Sequence, residues 1–110
     1  MKRLKLVWSE VAENDLKAII EYIASENPIH SLKKLKEIKK KAGDLYLFPE
    51  KGRIVPELLT FGILTYRELI VPPWRLIYRI AEKTVYVLAV LDSRRNIEDL
   101  LLSRLTRQTI

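Results

Sequence analysis

The sequence has 110 residues, of which 20 are Lys or Arg and 14 are Asp or Glu, so its formal net charge is +6. It contains no cysteine and one histidine, which excludes disulfide bonds, thiolate metal sites and imidazole clusters, and we therefore expect no metal and no cofactor. The length predicts one domain over residues 1–110, and the positive charge favours an acidic partner such as a nucleic acid, a ribosome or an acidic protein.

The apolar segments of the sequence are short. The longest apolar run, residues 85–91, has the length of a strand, and no apolar stretch of signal-peptide length follows the basic N-terminus. We therefore expect a cytoplasmic protein without a membrane partner.

The first 47 residues predict one strand and two helices. Residues 2–8 alternate as in a half-buried strand, and Ser9 is placed to cap a helix over residues 10–26. Apolar spacing predicts a second helix over residues 28–47, and the short link between the helices predicts an antiparallel hairpin. The two apolar stripes consist of Ala12, Leu16, Ile19, Ile20 and Ile23, and of Leu32, Leu35, Ile38, Ala42 and Leu45.

The other face of the second predicted helix is rich in lysine. A solvated helix face and a phosphate-binding face explain this pattern equally well, and the sequence leaves both open. The residues are Lys33, Lys34, Lys36, Lys39, Lys40 and Lys41.

The second half of the chain predicts a loop, three strands and a helix. Residues 48–64 lack a period, apart from a helical turn near residues 57–59, and the apolar residues of 54–64 predict an exposed interaction patch. Strands over residues 66–71, 74–80 and 85–91 have short links, which predict an antiparallel meander, and Asn96 is placed to cap a last helix. The result is an α+β fold of order β-α-α-β-β-β-α, in which a helical hairpin packs on a mostly antiparallel four-stranded sheet.

Arginines are the candidate functional residues. The sequence has no phosphate-cradling glycine loop, no nucleophile with a histidine base and no cluster of metal-ligand spacing, and we expect no small-molecule substrate. Arg75 and Arg79 alternate with apolar residues, so they share the sheet face opposite the helices. They either contact a phosphate or a partner's carboxylates, or pair within the chain with groups such as Glu68 and Asp92.

Three consecutive strands resemble the signature of RelE/ParE toxins. The first helix, from Ser9 to Ile23, and the loop segments Phe48-Pro49 and Gly52-Arg53 are also similar to that superfamily. The resemblance implies a toxin of a type II toxin–antitoxin system, neutralised by an antitoxin whose partly disordered segment folds over it. The three strand segments are Arg67-Glu68-Leu69-Ile70-Val71, Trp74-Arg75-Leu76-Ile77-Tyr78-Arg79 and Val85-Tyr86-Val87-Leu88-Ala89-Val90-Leu91-Asp92-Ser93-Arg94-Arg95.

The resemblance implies one of two targets. RelE-like members cut messenger RNA in the ribosomal A site without a metal, whereas ParE-like members poison DNA gyrase and are not nucleases. A RelE-like site here implies Arg67, Arg75 and Arg94 as cations and Glu68 as a base. Asp92 is an alternative base, and the candidate acids are Tyr66, Tyr78 and Tyr86.

The match to the nuclease branch is partial. Leu100 stands where RelE-like sequences tend to carry a catalytic tyrosine, and the chain clearly offers only the cation that RNA cleavage requires. We therefore favour a ParE-like toxin, with a ribosome-dependent endoribonuclease and a non-toxic basic RNA- or protein-binding domain as the alternatives.

One electropositive patch is predicted to bind the target. Arg75 and Arg79 share a strand face, and the bend after Leu91 brings Arg94 and Arg95 to the end of the sheet. Arg67 is an additional candidate whose face the sequence does not fix.

Overall fold

One mixed β-sheet organises residues 4–105, the part of the chain that the computed structural model describes. The predicted order of helices and strands is confirmed, and a two-residue strand is added before the meander. The elements are β1 (Lys5–Trp8), α1 (Glu10–Ala24), α2 (Pro28–Gly43), a 3-10 turn (Asp44–Tyr46), β2 (Arg53–Ile54), α3 (Pro56–Leu59), β3 (Tyr66–Val71), β4 (Trp74–Ala81), β5 (Thr84–Asp92) and α4 (Ile97–Leu105).

The sheet has the strand order β1-β5-β4-β3-β2, with β1 parallel to β5 and the other pairs antiparallel. The mostly antiparallel sheet and the pairing of the first strand with the meander are confirmed. The prediction of four strands is corrected to five, because Arg53 pairs with Glu68 and Ile54 pairs with Arg67 at the edge. Two residues are too few for apolar alternation to reveal such a strand. The predicted start of the first strand at Lys2 lies outside the described residues.

Both hairpin helices begin at side-chain caps. The Oγ of Ser9 accepts a hydrogen bond from the Ala12 amide at 3.0 Å, as predicted, and the Oδ1 of Asn27 accepts one from the His30 amide at 3.0 Å. Each cap stabilises its helix by about 1 kcal/mol. The second helix ends at Gly43 and not at residue 47, because the chain tightens there into the 3-10 turn.

The helical hairpin covers one face of the sheet, as predicted, but Leu32 of the predicted apolar stripe is exposed because it lies on the outer face of α2. Trp74, Leu76 and Tyr78 of β4 are buried against α1 and α2, and Ile80 packs beside them. None of the helices in residues 4–105 is long and apolar enough to cross a membrane. The buried helix residues of this core are Ala12, Leu16, Ile19, Ile38 and Ala42.

A β-bulge changes which side chains of β5 enter this core. The register between β4 and β5 shifts after Ile77, so Tyr78 pairs with Val87 and Ile77 pairs with Ala89. The residue between those two partners, Leu88, has no pairing residue on β4. An extra residue inverts the alternation beyond it. Val85, Val87 and Val90 therefore share one core, although strict alternation would separate Val90 from the other two.

The opposite face of the sheet is partly covered by α3 and α4. Leu58 of α3 and Ile97 and Leu101 of α4 bury Ile77 and Leu91 on this face. On the same face, the charged strand residues Glu68 and Arg75 lie next to Arg53 and Glu57. These residues form the first part of the candidate site.

Candidate functional site

A cluster of four charged residues lies on the sheet face opposite the helical hairpin. Glu68 is at its centre, with a side chain that is 0% exposed. Its Oε2 accepts a hydrogen bond from the Nε of Arg53 at 2.7 Å, and its Oε1 accepts one from Arg75 at 3.2 Å. Arg75 also donates to the Oε1 of Glu57 at 2.8 Å. We call Arg53, Glu57, Glu68 and Arg75 the ion-pair cluster.

Two carboxylates of the ion-pair cluster, Glu57 and Glu68, bind the guanidinium of Arg75. Its side chain is 14% exposed, and burial lowers its pKa, but the hydrogen bond that it donates to Glu57 and the charges of Glu68 and Glu57 outweigh burial and raise the pKa. Arg75 lies on the sheet face opposite the helical hairpin, as predicted. This face is not open to a partner at Arg75, because Glu57 and Glu68 cover the guanidinium. Both carboxylate oxygens of Glu68 accept a hydrogen bond from an arginine, and the side chain is fully buried, so a substrate proton cannot reach it unless the cluster rearranges.

The remaining cationic candidates on the strands contact other groups of the chain. Arg67 lies on the hairpin side of the sheet and donates to the carbonyl oxygen of Gly52 at 2.7 Å and, at 3.4 Å, to that of Glu50. Arg79 lies over the ring of Tyr86, with 5.0 Å from its guanidinium carbon to the ring centroid. These contacts favour a structural role for Arg67 and Arg79.

Tyr78, one of the predicted acids, fixes the loop that precedes β2. Its hydroxyl donates to the carbonyl oxygen of Pro49 at 2.7 Å and accepts from the amide of Gly52 at 2.9 Å. Burial raises the pKa of this hydroxyl, although the Gly52 hydrogen bond and the charge of Arg67 act in the opposite direction. A buried phenol with both hydrogen-bonding directions used is not placed to protonate a substrate. Of the other candidate acids, Tyr86 lies under Arg79 and Tyr66 packs beside the second core.

A cationic cleft lies where β5 continues past the end of β1. It has a volume of about 340 Å³. Its charged side chains come from the bend after β5, from α1 and from α4, and its floor includes Trp74 and Val90. We call it the β5 cleft, and its charged residues are Asp15, Asp92, Arg94, Arg95 and Arg104.

Asp15 connects three elements at the base of the β5 cleft. Its Oδ2 accepts a hydrogen bond from the backbone amide of Val90 at 3.0 Å, where β1 no longer pairs with β5. Arg104 of α4 binds the same carboxylate with two hydrogen bonds, at 2.6 and 3.0 Å. This bidentate geometry is the strong form of an arginine–carboxylate pair. The last helix is therefore attached to the first by a charged contact across the edge of the sheet.

Arg94 and Arg95 are the exposed cations of the β5 cleft. The guanidinium of Arg94 donates to both oxygens of Asp92, at 2.9 and 2.8 Å, and the Arg94 amide donates to the same carboxylate. These hydrogen bonds, led by that of the Arg94 side chain, lower the pKa of Asp92 from 3.8 to about 2. Such a carboxylate is a weak base near neutral pH. Arg95 is exposed, and its side chain has no hydrogen bond or ion pair with any residue of the described range 4–105.

The predicted arginine patch is therefore distributed over three places. Arg94 and Arg95 line the β5 cleft, which contains neither Arg75 nor Arg79. Arg75 belongs to the ion-pair cluster, and Arg79 lies over Tyr86. Leu100, at the position where a catalytic tyrosine was considered, packs against the second core.

Sequence reasoning missed Asp15 and Arg104 as residues of the site. The two are 89 positions apart, and each alone has the pattern of an exposed helix charge. Trp74 was assigned correctly to the core, but its indole Nε1 is buried without a hydrogen-bond partner at the floor of the cleft. No single-sequence signal brings these three residues together, because the contact depends on how the sheet edge ends.

A second exposed surface is apolar. Leu59, Phe61 and Leu64 are 49%, 54% and 58% exposed, respectively. They flank the turn at Gly62, which has a φ of 74°, and this turn directs the neighbouring Ile63 against the second core. The predicted exposed apolar surface in this segment is thus present in part, since Val55 and Leu58 are buried. We call Leu59, Phe61 and Leu64 the apolar patch.

The described residues contain no group of three or more His, Cys, Asp or Glu side chains that could hold a metal ion. In both the ion-pair cluster and the β5 cleft, each carboxylate pairs with an arginine. The site therefore offers guanidinium groups and hydrogen bonds as its means of recognition.

Comparison with known proteins supports an assignment to one family. The family model for the ParE toxin of the type II toxin–antitoxin system parDE matches residues 6–97. Toxin RelE2 of Caulobacter vibrioides is 30% identical over 92 residues, which cover 83% of this chain and 97% of that protein. A chain of the chromosomal ParDE system from P. aeruginosa has the same fold, with a TM-score of 0.70 and 21% identity, over 82% of this chain and 96% of that chain.

Proposed function

Because the chain belongs to the ParE toxin family of type II toxin–antitoxin systems, we propose that it is a cytoplasmic toxin that poisons DNA gyrase by binding it. A cognate antitoxin neutralises it by covering its surface. One observation carries this proposal: Arg75 and Glu68 are hydrogen-bonded to each other. A nuclease site would need both side chains free to act on the RNA.

Cleavage of RNA by attack of a 2′-hydroxyl needs a base for that proton and a cation for the phosphate charge. In the ion-pair cluster the candidate base, Glu68, is fully buried and the candidate cation, Arg75, is held by two carboxylates. Asp92 has a pKa of about 2, and both of its carboxylate oxygens accept hydrogen bonds from Arg94. These three observations favour binding without chemistry.

A ribosome-dependent endoribonuclease is the second candidate function. It is favoured by the 30% identity to a protein named Toxin RelE2 and by Arg94, which lies at the family's arginine position after the last strand. A nuclease would have to open the ion-pair cluster when it binds the ribosome. That rearrangement costs the hydrogen bonds of a buried carboxylate, which makes this candidate the less favoured of the two.

We assign target recognition to the exposed cations of the β5 cleft. Arg95 has its guanidinium free for a partner, and Arg94 is 68% exposed although it binds Asp92. A guanidinium suits a phosphate or an acidic protein surface equally well. We do not assign target recognition to Arg75 or Arg79, because each already has a structural role within the chain. Arg75 pairs with Glu57 and Glu68, and Arg79 lies over Tyr86.

The antitoxin is proposed to cover the apolar patch. Leu59, Phe61 and Leu64 are each about half exposed within six residues of sequence, and exposed apolar side chains that cluster often belong to interaction sites. An acidic antitoxin segment that reaches the patch would bury apolar area and pair with nearby cations. If coproduction with the antitoxin leaves Phe61→Ser bound as tightly as the wild type, the patch is not the antitoxin site.

The target assignment is tested first in cells. After induction of the toxin, we expect incorporation of labelled thymidine to fall before incorporation of labelled methionine, because gyrase is needed for replication. Arg95→Ala should reduce growth inhibition about tenfold or more, since it removes a charge-assisted contact worth roughly 1.5–3 kcal/mol. Its melting temperature should change little, because the exposed side chain of Arg95 makes no hydrogen bond or ion pair within residues 4–105.

Lys83→Ala is the matched control, as an exposed lysine in the turn before β5. We expect it to retain full toxicity. A fall in methionine incorporation that precedes the fall in thymidine incorporation would contradict the gyrase target and favour the ribosome.

A further inference from the structure

The positive charge of the protein is concentrated in one helix. Helix α2 contains six lysines and one glutamate, which give it a net charge of +5, while the whole chain has a net charge of +6. The other 94 residues therefore carry a net charge of only +1, since the helix spans 16 of the 110 residues. A charge so localised produces a directional potential at one surface.

Two of the six lysines are engaged within the chain. Lys34 binds Glu37 at 3.1 Å and the carbonyl oxygen of Pro72 at 3.4 Å, and its side chain is 15% exposed. Lys39 lies over the ring of Trp8 at 4.2 Å. The contacts with Pro72 and Trp8 anchor α2 to the rest of the fold, so Lys34 and Lys39 are less available to a partner.

Three of the others form a single exposed row on α2. Lys33, Lys36 and Lys40 are separated by three and four residues, so they lie on one face of the helix. That face is opposite the one that buries Ile38 and Ala42. All three are exposed, and none has a carboxylate within ion-pair distance among the residues that the structure describes. We call them the lysine row.

We propose that the lysine row is a docking surface for the phosphate backbone of duplex DNA. From Lys33 to Lys40 the row is about 10 Å long, at a rise of about 1.5 Å per residue. Duplex DNA carries one phosphate per roughly 1.7 Å of its axis, so a row of that length faces several phosphates at once. Lysine is a point charge with rotatable donors, which suits contacts that do not depend on base sequence.

The inference rests on the proposed function, because gyrase acts on duplex DNA and a toxin bound to it would lie next to that DNA. In this arrangement the β5 cleft recognises the protein and the lysine row holds the adjoining DNA. The competing occupant is an acidic protein segment, which would also use Ile29 and Leu32, since both are exposed beside the lysine row.

The test measures binding of the purified toxin, without gyrase, to a fluorescein-labelled DNA duplex of arbitrary sequence by fluorescence anisotropy. Three phosphate contacts predict that affinity falls about 40-fold between roughly 50 and 200 mM salt. The variant Lys33→Gln, Lys36→Gln, Lys40→Gln should bind at least about tenfold more weakly at low salt and lose most of the salt dependence.

The matched control is Lys17→Gln, Lys51→Gln, Lys83→Gln, which removes the same charge from three exposed lysines outside α2. We expect it to bind DNA nearly as the wild type does, and both variants should keep the wild-type melting temperature. Equal loss in the two variants would overturn the proposal, as would tighter binding to polyglutamate or to single-stranded RNA of equal charge. Because gyrase is absent from this assay, its outcome is independent of whether the toxin inhibits supercoiling.

Discussion

Glu68→Gln is expected to lower the free energy of unfolding by about 3 kcal/mol, because it removes one partner of a buried ion pair. The substitution keeps the shape of the side chain and removes its charge. Arg75, whose side chain is 14% exposed, then keeps only Glu57 as an ionic partner. The amide NH2 group of the new glutamine replaces one carboxylate oxygen, so a buried donor faces the donors of an arginine. Arg53 contributes little to the loss, since its side chain is 59% exposed. Urea unfolding followed by circular dichroism measures the change.

Two further variants separate the ion-pair cluster from a general effect of charge. Glu50→Gln, at an exposed position, should change stability by less than about 0.5 kcal/mol. The double variant Glu68→Leu, Arg75→Met should recover most of the loss, because apolar residues of similar volume often replace a buried ion pair without cost. A Glu68→Gln protein as stable as Glu50→Gln would show that the ion-pair cluster has no structural role.

Gly52→Ala is expected to destabilise the protein by about 3 kcal/mol, at the upper end of the range for overpacking. A Cβ at this position would lie 2.5 Å from the carbonyl oxygen of Glu68 and 2.6 Å from the hydroxyl of Tyr78. One of these neighbours is backbone in β3 and the other is the fully buried ring that fixes the loop, so neither can move freely. The substitution should also disrupt the pairing of β2 with β3, which hydrogen exchange at the Val55 amide would report, since that amide bonds to Tyr66 at 3.0 Å.

Gly43→Ala is the matched control for this prediction. Nothing lies within 4 Å of a Cβ at Gly43, and the residue is the last of α2. Alanine there should leave stability unchanged or raise it by up to about 1 kcal/mol, because glycine costs conformational entropy in a helix. Equal stability of the Gly52→Ala and Gly43→Ala proteins would mean that the contact around Tyr78 is not tight in solution.

The sequence predicted most of the fold because its local signals agree. The cap at Ser9, the cap at Asn96 and the alternation over residues 74–80 each specify one element, and each element is found in the structure. The bulge on β5 could not be predicted, since Leu88 continues an apolar run that fits a fully buried strand in either register. The short strand β2 depends on the Arg53–Glu68 contact, which joins residues 15 positions apart.

The candidate site was predicted less well than the fold. Alternation placed Arg75 on the correct face, but the carboxylate of Glu57 that reaches it comes from the four-residue helix α3, which is too short for periodicity to show which way its side chains point. The β5 cleft depends on Asp15 and Arg104, from opposite ends of the chain, and on the strand edge that β1 leaves uncovered. Residue types can be read from a sequence, whereas the partner of each buried charge is set by tertiary packing.

We propose that this ParE-family toxin acts by binding gyrase and cleaves no RNA. The decisive experiment adds the purified toxin, in parallel, to a gyrase supercoiling reaction and to ribosomes programmed with a defined messenger RNA. We predict that supercoiling stops while primer extension shows the messenger intact, and that Arg95→Ala weakens the inhibition. Messenger cleaved at the A-site codon, with supercoiling unaffected at the same toxin concentration, would contradict the claim.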